Sequence, residues 1–205
     1  MNCVRLATEA DLPKVVEIHR QAFPEFFLTR MGEPFLSLLY RGYMYSASGR
    51  LLVACDEEAP AQVLGFVAGT LEPERFFKDL LRRQWFKFGL ASVWPLLRQP
   101  GLVALKLWSA LSYSGETLPE LPDAALLSSL GVLPSMHRRG LGRQLVHSFV
   151  QQAKCHAALA VYLTTDQSDN SGANTFYAGC GFHLAGTCER PPRRILNRYV
   201  LRLKP

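Results

Sequence analysis

The stretch VLPSMHRRGLG, residues 132–142, combines a histidine, arginines and glycines just before a leucine-rich, helix-like run. A helix start leaves backbone N–H groups without partners, and the helix dipole makes that end positive. Glycines allow a large anion to approach the backbone closely, and the arginines add full charges. This chemistry predicts a pyrophosphate-binding turn. The residues that would form it are His137, Arg138, Arg139, Gly140, Leu141, Gly142 and Arg143.

Two common phosphate sites do not fit this turn. The sequence lacks the Gly-x-x-x-x-Gly-Lys-Ser/Thr pattern of nucleoside-triphosphate loops and the Gly-x-Gly-x-x-Gly pattern of dinucleotide-binding turns. The turn therefore needs a second motif before its ligand can be named.

The surrounding periodicity predicts the elements that position this turn. Period-2 or continuous apolar runs indicate strands, and apolar residues at helical spacing indicate helices. Thr8 and Asp11 are typical of a helix N-terminal cap. The predicted strands are 3–8, 50–57, 61–72, 124–134, 159–166, 182–190 and 194–203, and the predicted helices are 8–23, 33–44, 140–155 and 170–181.

A second pattern, NSGANTFYAGCGF at 170–182, follows the turn across one predicted strand. Together, the two patterns resemble the acetyl-coenzyme A motifs of the GNAT superfamily of N-acetyltransferases, with His137 where the family usually has Gln or Arg. The resemblance implies the α/β GNAT fold (α+β in some schemes). We therefore expect a mixed, mostly antiparallel twisted sheet of about seven strands flanked by helices. The chain, 1–205, would be one domain with a helical insertion, 73–118, before the central strand.

The resemblance also implies how acetyl-CoA would be held. The end of the central strand would pair with the pantetheine arm as an added strand, and the turn would bind the pyrophosphate. Residues of the second motif would contact pantetheine, line the channel and reach the thioester sulfur. The implied binding residues are Leu130, Gly131, Val132, His137, Arg138, Arg139, Gly140, Leu141, Gly142, Arg143, Asn170, Ala173, Phe176 and Tyr177.

Tyr177 has a chemical reason to stand at its motif position. Amine attack on a thioester expels a thiolate, and a thiol has a pKa of ~8.5 against ~10 for a phenol. A nearby phenol can therefore hydrogen-bond to the leaving sulfur or protonate it. The alternative is an ordinary aromatic at the edge of the core.

The general base is left open by the sequence. A protonated amine must lose a proton before it attacks, and Glu72, at the end of a predicted strand, is our first candidate. Asp166, Asp123 and His183 are others, and a water chain could serve instead. Cys180 lacks an activating partner, so we expect a buried thiol rather than an acyl carrier.

The insertion, 73–118, holds most of the excess positive charge of a chain whose net charge is +6. Its apolar residues, including Phe77, Leu80, Leu81, Trp85 and Phe88, recur at helical spacing, and Pro95 is expected to separate two helical stretches. We favour a helical hairpin packed on the domain. An acceptor-site lid, a homodimer interface and a peripheral contact with an anionic membrane are alternatives.

The composition of the chain argues against several classes of protein. Five cysteines at scattered spacing predict free thiols in a reducing compartment, and the histidines lack metal-ligand spacing, so we expect no metal. No secretory signal or transmembrane segment is predicted, and we expect a cytoplasmic protein. Nucleic-acid binding is the least favoured use of the basic residues, because they alternate with core-like apolar ones.

The predicted function is transfer of an acetyl group from acetyl-CoA to a primary amine by direct attack. Residues 25–43 are similar to a bacterial GNAT branch associated with amino sugars of surface polysaccharides, so an amino sugar leads other small amines as acceptor. Two alternatives are a non-catalytic acyl-CoA-binding or regulatory domain and a peripheral membrane-associated acyltransferase.

Overall fold

The computed structural model describes residues 2–98, 123–168, 170–190 and 194–203. Its strands lie close to the predicted ones, because apolar and alternating runs are local signals of a strand. They are β1 (Asn2–Leu6), β2 (Gly49–Asp56), β3 (Val63–Thr70), β4 (Ala124–Val132), β5 (Ala160–Asp166), β6 (His183–Arg190) and β7 (Arg194–Arg202).

These strands form one sheet in the order β1-β2-β3-β4-β5-β7-β6. Every neighbouring pair is antiparallel except β4 and β5, which run parallel. The helix that connects β4 to β5 provides the crossover that a parallel pair requires. The predicted mixed, mostly antiparallel sheet is thus confirmed.

Helices cover both faces of this sheet. They are α1 (Leu12–Ala22), α2 (Phe27–Arg30), α3 (Glu33–Tyr45), α4 (Pro73–Arg98), α5 (Leu141–Cys155) and α6 (Ser171–Gly179). The short α2 was not predicted, because a single turn is too short to show apolar periodicity. The predicted capping box of Thr8 and Asp11 is present, and it precedes a 3-10 turn that leads into α1.

The two faces of the sheet bury separate apolar clusters. One cluster packs α1, α3 and the start of α4 against β2 and β3, and Phe66 and Leu36 lie within it. The other packs α5 and α6 against β3, β4, β5 and β7, and it includes Phe149 and Tyr177. The sheet therefore separates a helical layer built from the N-terminal half from a layer built from the two motif-bearing segments.

The insertion begins with one long helix. Phe76 of α4 stacks on Tyr43 of α3, with ring centroids 4.5 Å apart, and Phe88 meets Phe35 edge-on at 5.0 Å. α4 continues through Pro95, so the predicted break there is wrong. Trp85, expected on the packed face, is 69% exposed. The second half of the predicted hairpin lies outside the described residues.

Candidate active site

A gap in the sheet lies between β4 and β5. The two strands pair only from Ala124 opposite Ala160 to Leu126 opposite Tyr162. Beyond that point β4 continues along β3 to Val132, whereas β5 continues along β7 to Asp166. The strands therefore part, and the second half of β4 has an edge that β5 does not cover.

A bulge in β4 marks the point where the gap opens. Gly69 of β3 pairs with Leu127, and Ala68 pairs with Ser129, so Ser128 is the extra residue. Ser128 is exposed and Ser129 is half-buried. These serines belong to neither motif, although two polar residues in an otherwise apolar strand are a signal of such a bulge.

The backbone of β4 presents free positions toward this gap. The N–H of Leu133 donates to Leu64 at 2.9 Å, so residue 133 faces β3. Because antiparallel pairs alternate in direction, the N–H and C=O groups of Leu130 and Val132 point away from β3, toward the gap. An extended chain could pair with them as an additional strand.

The turn after β4 has the backbone geometry that an anion site requires. Arg138 has a φ of 62° and Gly140 a φ of 80°, so both adopt the left-handed conformation. Alternation of this kind gathers N–H groups into a concave surface. Gly140 caps α5 without a side-chain hydrogen bond, and a Cβ at Gly140 would meet nothing within 4 Å. The first N–H groups of α5, a helix of 15 residues, have no partners within the helix.

Two predicted ligands of the anion have other contacts in the structure. The ring Nε2–H of His137 donates to the carbonyl of Val132 at 3.1 Å, so the ring folds back onto the end of β4. Arg143 reaches the end of α6, where its guanidinium interacts with Cys180 and lies near Gly179. Arg138 and Arg139 are exposed on the turn itself. The positive charge nearest the open N–H groups therefore comes from this arginine pair.

The second motif packs directly on the first. A Cβ at Gly142 would lie 3.2 Å from the Phe176 ring, so the glycine lets α6 approach the start of α5. Ala173 and Phe176 are half-buried against the same cluster. Asn170 caps α6 through its carbonyl, which accepts from Asn174 at 3.0 Å. The side-chain oxygen of Asn174 accepts a hydrogen bond of 2.6 Å from the Thr165 hydroxyl and so fixes α6 to β5.

Tyr177 lies on α6 in the cluster that faces β5. It is 8% exposed, and its ring meets Phe176 at 5.1 Å and Phe182 at 5.9 Å, both edge-on. Burial raises the pKa of Tyr177, and the neighbouring Cys180 thiol adds to the rise. The phenol is therefore protonated at neutral pH, as a proton donor must be. Burial also raises the pKa of Cys180, which disfavours a nucleophilic thiolate.

The candidate bases differ in their surroundings. Glu72 lies beyond the end of β3, where its carbonyl accepts from Phe76 in the first turn of α4. Its side chain is 55% exposed and lies 3.5 Å from Arg75. Since Thr70 pairs with Leu126, Glu72 lies on the far side of the Ser128 bulge from the turn, roughly 10 Å away by strand rise.

The other candidates are less available or more distant. Asp166 forms a two-point ion pair with Arg194 that ties β5 to β7. Asp123 is exposed just before β4, and His183 is exposed at the start of β6. Of the four, Glu72 has a largely exposed side chain, and it lies level with the paired segment of β4 and β5 rather than with the gap.

A buried polar network approaches the bulge from the opposite face. His19 Nδ1 and the Tyr40 hydroxyl are joined by a hydrogen bond of 2.6 Å, and Tyr40 also bonds to Ser129. Burial lowers the pKa of His19 to about 4 and raises that of Tyr40 well above its usual value. The network therefore connects α1, α3 and β4 through neutral groups.

The part of the chain that the structure describes contains neither a cluster of metal ligands nor a membrane-spanning helix. Among the described residues, no three His, Cys, Asp or Glu side chains cluster closely enough to hold a metal ion. Within the same ranges, no helix has both the length and the apolar character needed to cross a membrane.

Comparison with known proteins shows what this chain is similar to. Residues 101–182 match the model of the acetyltransferase (GNAT) family. The comparison with curated proteins found no match.

Solved structures share the fold along nearly the whole chain. The ribosomal-protein-S18-alanine N-acetyltransferase from Escherichia coli is 15% identical with a TM-score of 0.61, and the match covers 98% of this chain and 94% of that chain. NAA60 of Arabidopsis thaliana, in complex with a bisubstrate analogue, is 15% identical with a TM-score of 0.63, covering 98% of both chains. The Salmonella typhimurium protein yncA, described with its cofactor acetyl-CoA, is 13% identical with a TM-score of 0.62, covering 99% of this chain and 94% of that chain. The match over residues 101–182 and the shared fold show that the chain has the fold of the GNAT acetyltransferases and contains a segment similar to that family.

Proposed function

We propose that the protein transfers the acetyl group of acetyl-CoA to a primary amine within the gap between β4 and β5. The observation that supports this proposal is the presence of three features in one layer of the fold. They are the gap-facing backbone of Leu130 and Val132, the cationic turn at the start of α5, and Tyr177 on α6, which belongs to the apolar cluster against which Leu130 and Val132 pack. Strand edge, anion site and proton donor are the parts that binding and cleaving a CoA thioester require.

The residues of the turn fit the diphosphate end of acetyl-CoA. Open N–H groups at the start of α5 and the exposed Arg138 and Arg139 would hold the pyrophosphate. The backbone of Leu130 and Val132 would hold the pantetheine amides, with Asn170, Ala173 and Phe176 along the other wall. His137 then acts by fixing the carbonyl of Val132 rather than by direct contact with phosphate.

Proton transfer would use two of the chain's side chains. Acetyl-CoA supplies the activated acetyl group, and the phenol of Tyr177 would donate a hydrogen bond or a proton to the departing sulfur. Glu72, beyond the closed end of the gap, would accept the ammonium proton of the acceptor through water, because roughly 10 Å separates it from the bulge.

The acceptor that we favour is an amino sugar or another small amine. This preference rests on the resemblance of residues 25–43 to a GNAT branch associated with amino sugars. Because acetyl-CoA is the proposed co-substrate, we expect the reaction to take place in the cytoplasm.

Thiol release from acetyl-CoA tests the proposal directly. We expect release above background with at least one member of a panel of amino sugars, nucleotide-linked amino sugars, polyamines and peptide N-termini. Calorimetry on the same protein measures binding of acetyl-CoA independently of turnover. Binding without release for every amine would instead support the non-catalytic domain, and the absence of binding would exclude both functions.

A second proposal, peripheral membrane association, rests on the outer face of α4. Phe86, Leu90, Val93 and Leu97 are all at least 50% exposed, and their spacing places them on one side of the helix. Arg82, Arg83 and Lys87 lie beside this stripe, and no acidic residue occurs from Leu80 to Arg98. An apolar stripe bordered only by cations suits the surface of an anionic bilayer.

Vesicle flotation tests this surface. We expect the protein to float with vesicles that contain anionic lipid and to remain in solution with purely zwitterionic vesicles. Phe86→Glu with Leu90→Glu should abolish flotation, whereas Leu184→Glu, at an exposed leucine of β6, should not. Concentration-dependent self-association lost in the double variant, without flotation, would assign the stripe to a homodimer instead.

A further inference from the structure

The structure brings together two cysteines that the sequence spacing gave no reason to pair. Cys3 lies on β1 and Cys55 on β2, and they are direct partners in the antiparallel register. Their Sγ atoms are 3.1 Å apart, and the Cys55 thiol also approaches the carbonyl of Cys3 at 3.7 Å. We propose that Cys3 and Cys55 form a reversible disulfide, a modification site that staples the edge strand β1 to the sheet.

Backbone geometry brings the two residues within reach of this bond. Ala7 donates to Leu51 at 2.9 Å, and by alternation Cys3 and Cys55 also form a hydrogen-bonded pair. The Cα atoms of such pairs are about 5.5 Å apart, within the span of about 4.4–6.8 Å that disulfides use. To close the Sγ separation from 3.1 Å to the roughly 2.05 Å of a disulfide, the two side chains must rotate and the two strands must approach slightly.

The surroundings of the pair give the two thiols different roles. Cys3 is half-buried and so can meet a small oxidant, whereas Cys55 is fully buried. Burial and the contact with Cys3 raise the pKa of Cys55, and the guanidinium of Arg5 offsets part of this rise. Arg5 is held in place by Asp11 at 2.7 Å. The entry point for oxidation is therefore Cys3, and Cys55 is the resolving thiol.

The oxidant class is a low-molecular-weight disulfide, such as glutathione disulfide. The Cys3 thiolate attacks one glutathione sulfur, forms a mixed disulfide and releases one glutathione thiolate. The Cys55 thiolate then attacks Sγ of Cys3, forms the Cys3–Cys55 bond and releases the second glutathione. The two protons of the protein thiols pass to the two released thiolates, so one disulfide is exchanged for another.

The Cys3–Cys55 bond would raise thermal stability and leave the fold unchanged. It joins residues on two strands with α1, α2 and α3 between them in the chain, so it restricts the unfolded state strongly. The pair also lies two strands away from β4. The expected effect is a reversible rise in thermal stability, independent of the proposed acetyl transfer.

Thiol titration and peptide mass mapping of the full chain test the proposal. After incubation with glutathione disulfide and denaturation, the free thiols should fall from five to three, and a Cys3–Cys55 cross-linked peptide should appear. Tm should rise by roughly 5 °C or more and return to its starting value with dithiothreitol. Cys155→Ser, at an exposed cysteine of α5, should still form the bond.

Single variants separate the two steps of the exchange. Cys55→Ser should stop at a glutathione adduct on Cys3, and Cys3→Ser should block the cross-link. Five remaining thiols, a cross-link between other cysteines, or a wild-type adduct on Cys3 that Cys55 does not resolve would each overturn the assignment. Mapping of the wild-type protein decides the question even where a variant folds poorly.

Discussion

Two cationic regions of the molecule, the turn between β4 and α5 and the outer face of α4, use similar side chains in different ways. In the turn, Arg138 and Arg139 accompany left-handed backbone and open N–H groups at a helix start. On α4, Arg82 and Arg83 border apolar side chains on the flank of a helix whose backbone groups are paired internally. Only the first arrangement can surround a compact anion.

The difference shows that backbone geometry, more than charge, distinguishes a phosphate site from a surface-binding face. Arginine supplies attraction in both regions, but unpaired N–H groups supply directed hydrogen bonds in one alone. Matched substitutions in the two regions, or in the helical layers that carry them, should therefore differ in their effects on activity, acetyl-CoA affinity and stability.

The largest effect is expected at Tyr177, in the layer that carries the turn. Tyr177→Phe removes the proposed proton donor and leaves the ring packing intact, so kcat should fall about 100-fold. The dissociation constant of acetyl-CoA, measured by calorimetry, should change by less than about twofold. Tyr199→Phe, at another buried tyrosine of the same cluster, is the control and should retain activity. Unchanged kcat in Tyr177→Phe would remove the acid role.

The buried polar network of His19 and Tyr40 lies in the helical layer that carries α4. This network should make the free energy of unfolding depend on pH. Burial lowers the pKa of His19 from about 6.5 to about 4, so between these values the unfolded chain binds a proton that the folded chain does not. The free energy of unfolding should therefore fall as pH falls through this window, by about 3 kcal/mol in total.

Urea denaturation at pH 7, 5.5 and 4.5 measures this slope. His19→Gln should flatten it, whereas His183→Gln, at an exposed histidine of β6, should leave it as in the wild type. Equal slopes in the wild type and His19→Gln would show that His19 does not cause the pH dependence.

Substitution of one helical glycine in each region tests how closely neighbouring side chains pack against the helix. Gly142→Val forces a side chain against Phe176, whose ring would lie 3.2 Å from the new Cβ. We expect a loss of about 2 kcal/mol in the free energy of unfolding, together with weaker binding of acetyl-CoA. Gly89→Val, on α4, meets nothing within 4 Å and should leave Tm nearly unchanged. Equal effects at the two positions would contradict the close approach of α6 to α5.

The smallest expected effect comes from paired charge removal. Arg138→Ala with Arg139→Ala should weaken acetyl-CoA binding about tenfold at low salt and less at high salt, because exposed charges are screened. Arg82→Ala with Arg83→Ala removes the same charge from α4 and should leave that affinity unchanged. Calorimetry at two salt concentrations measures the affinity of both double variants for acetyl-CoA. Similar losses of affinity would show that net positive charge, and not a specific phosphate site, attracts acetyl-CoA.

Much of the fold could be predicted from the sequence because its signals are local. Long apolar runs marked β4 and β5, and the apolar spacing of Leu141, Leu145 and Phe149 marked α5. The motif residues of the candidate site came from the turn and from α6, where type and spacing are constrained together. Their roles at acetyl-CoA remain predictions.

What the sequence could not show depends on contacts between distant residues. The bulge at Ser128 follows from the register with β3, and the exposed position of Trp85 follows from which side of α4 meets α3. The His137 ring could donate to phosphate or to Val132, and only the folded turn decides between them. Pairing of Asp166 with Arg194 likewise arises where β5 and β7 meet. The spacing of apolar residues along the chain does not show such contacts between distant residues.

Hydrogen–deuterium exchange with and without coenzyme A tests the proposed site most directly. Coenzyme A should protect the amides of Leu130, Val132 and residues 138–143, while those of residues 82–97 on α4 should exchange as in the free protein. Protection confined to α4, or none at the end of β4 and the start of α5 under saturating coenzyme A, would contradict the assignment of the β4–β5 gap as the acetyl-CoA site.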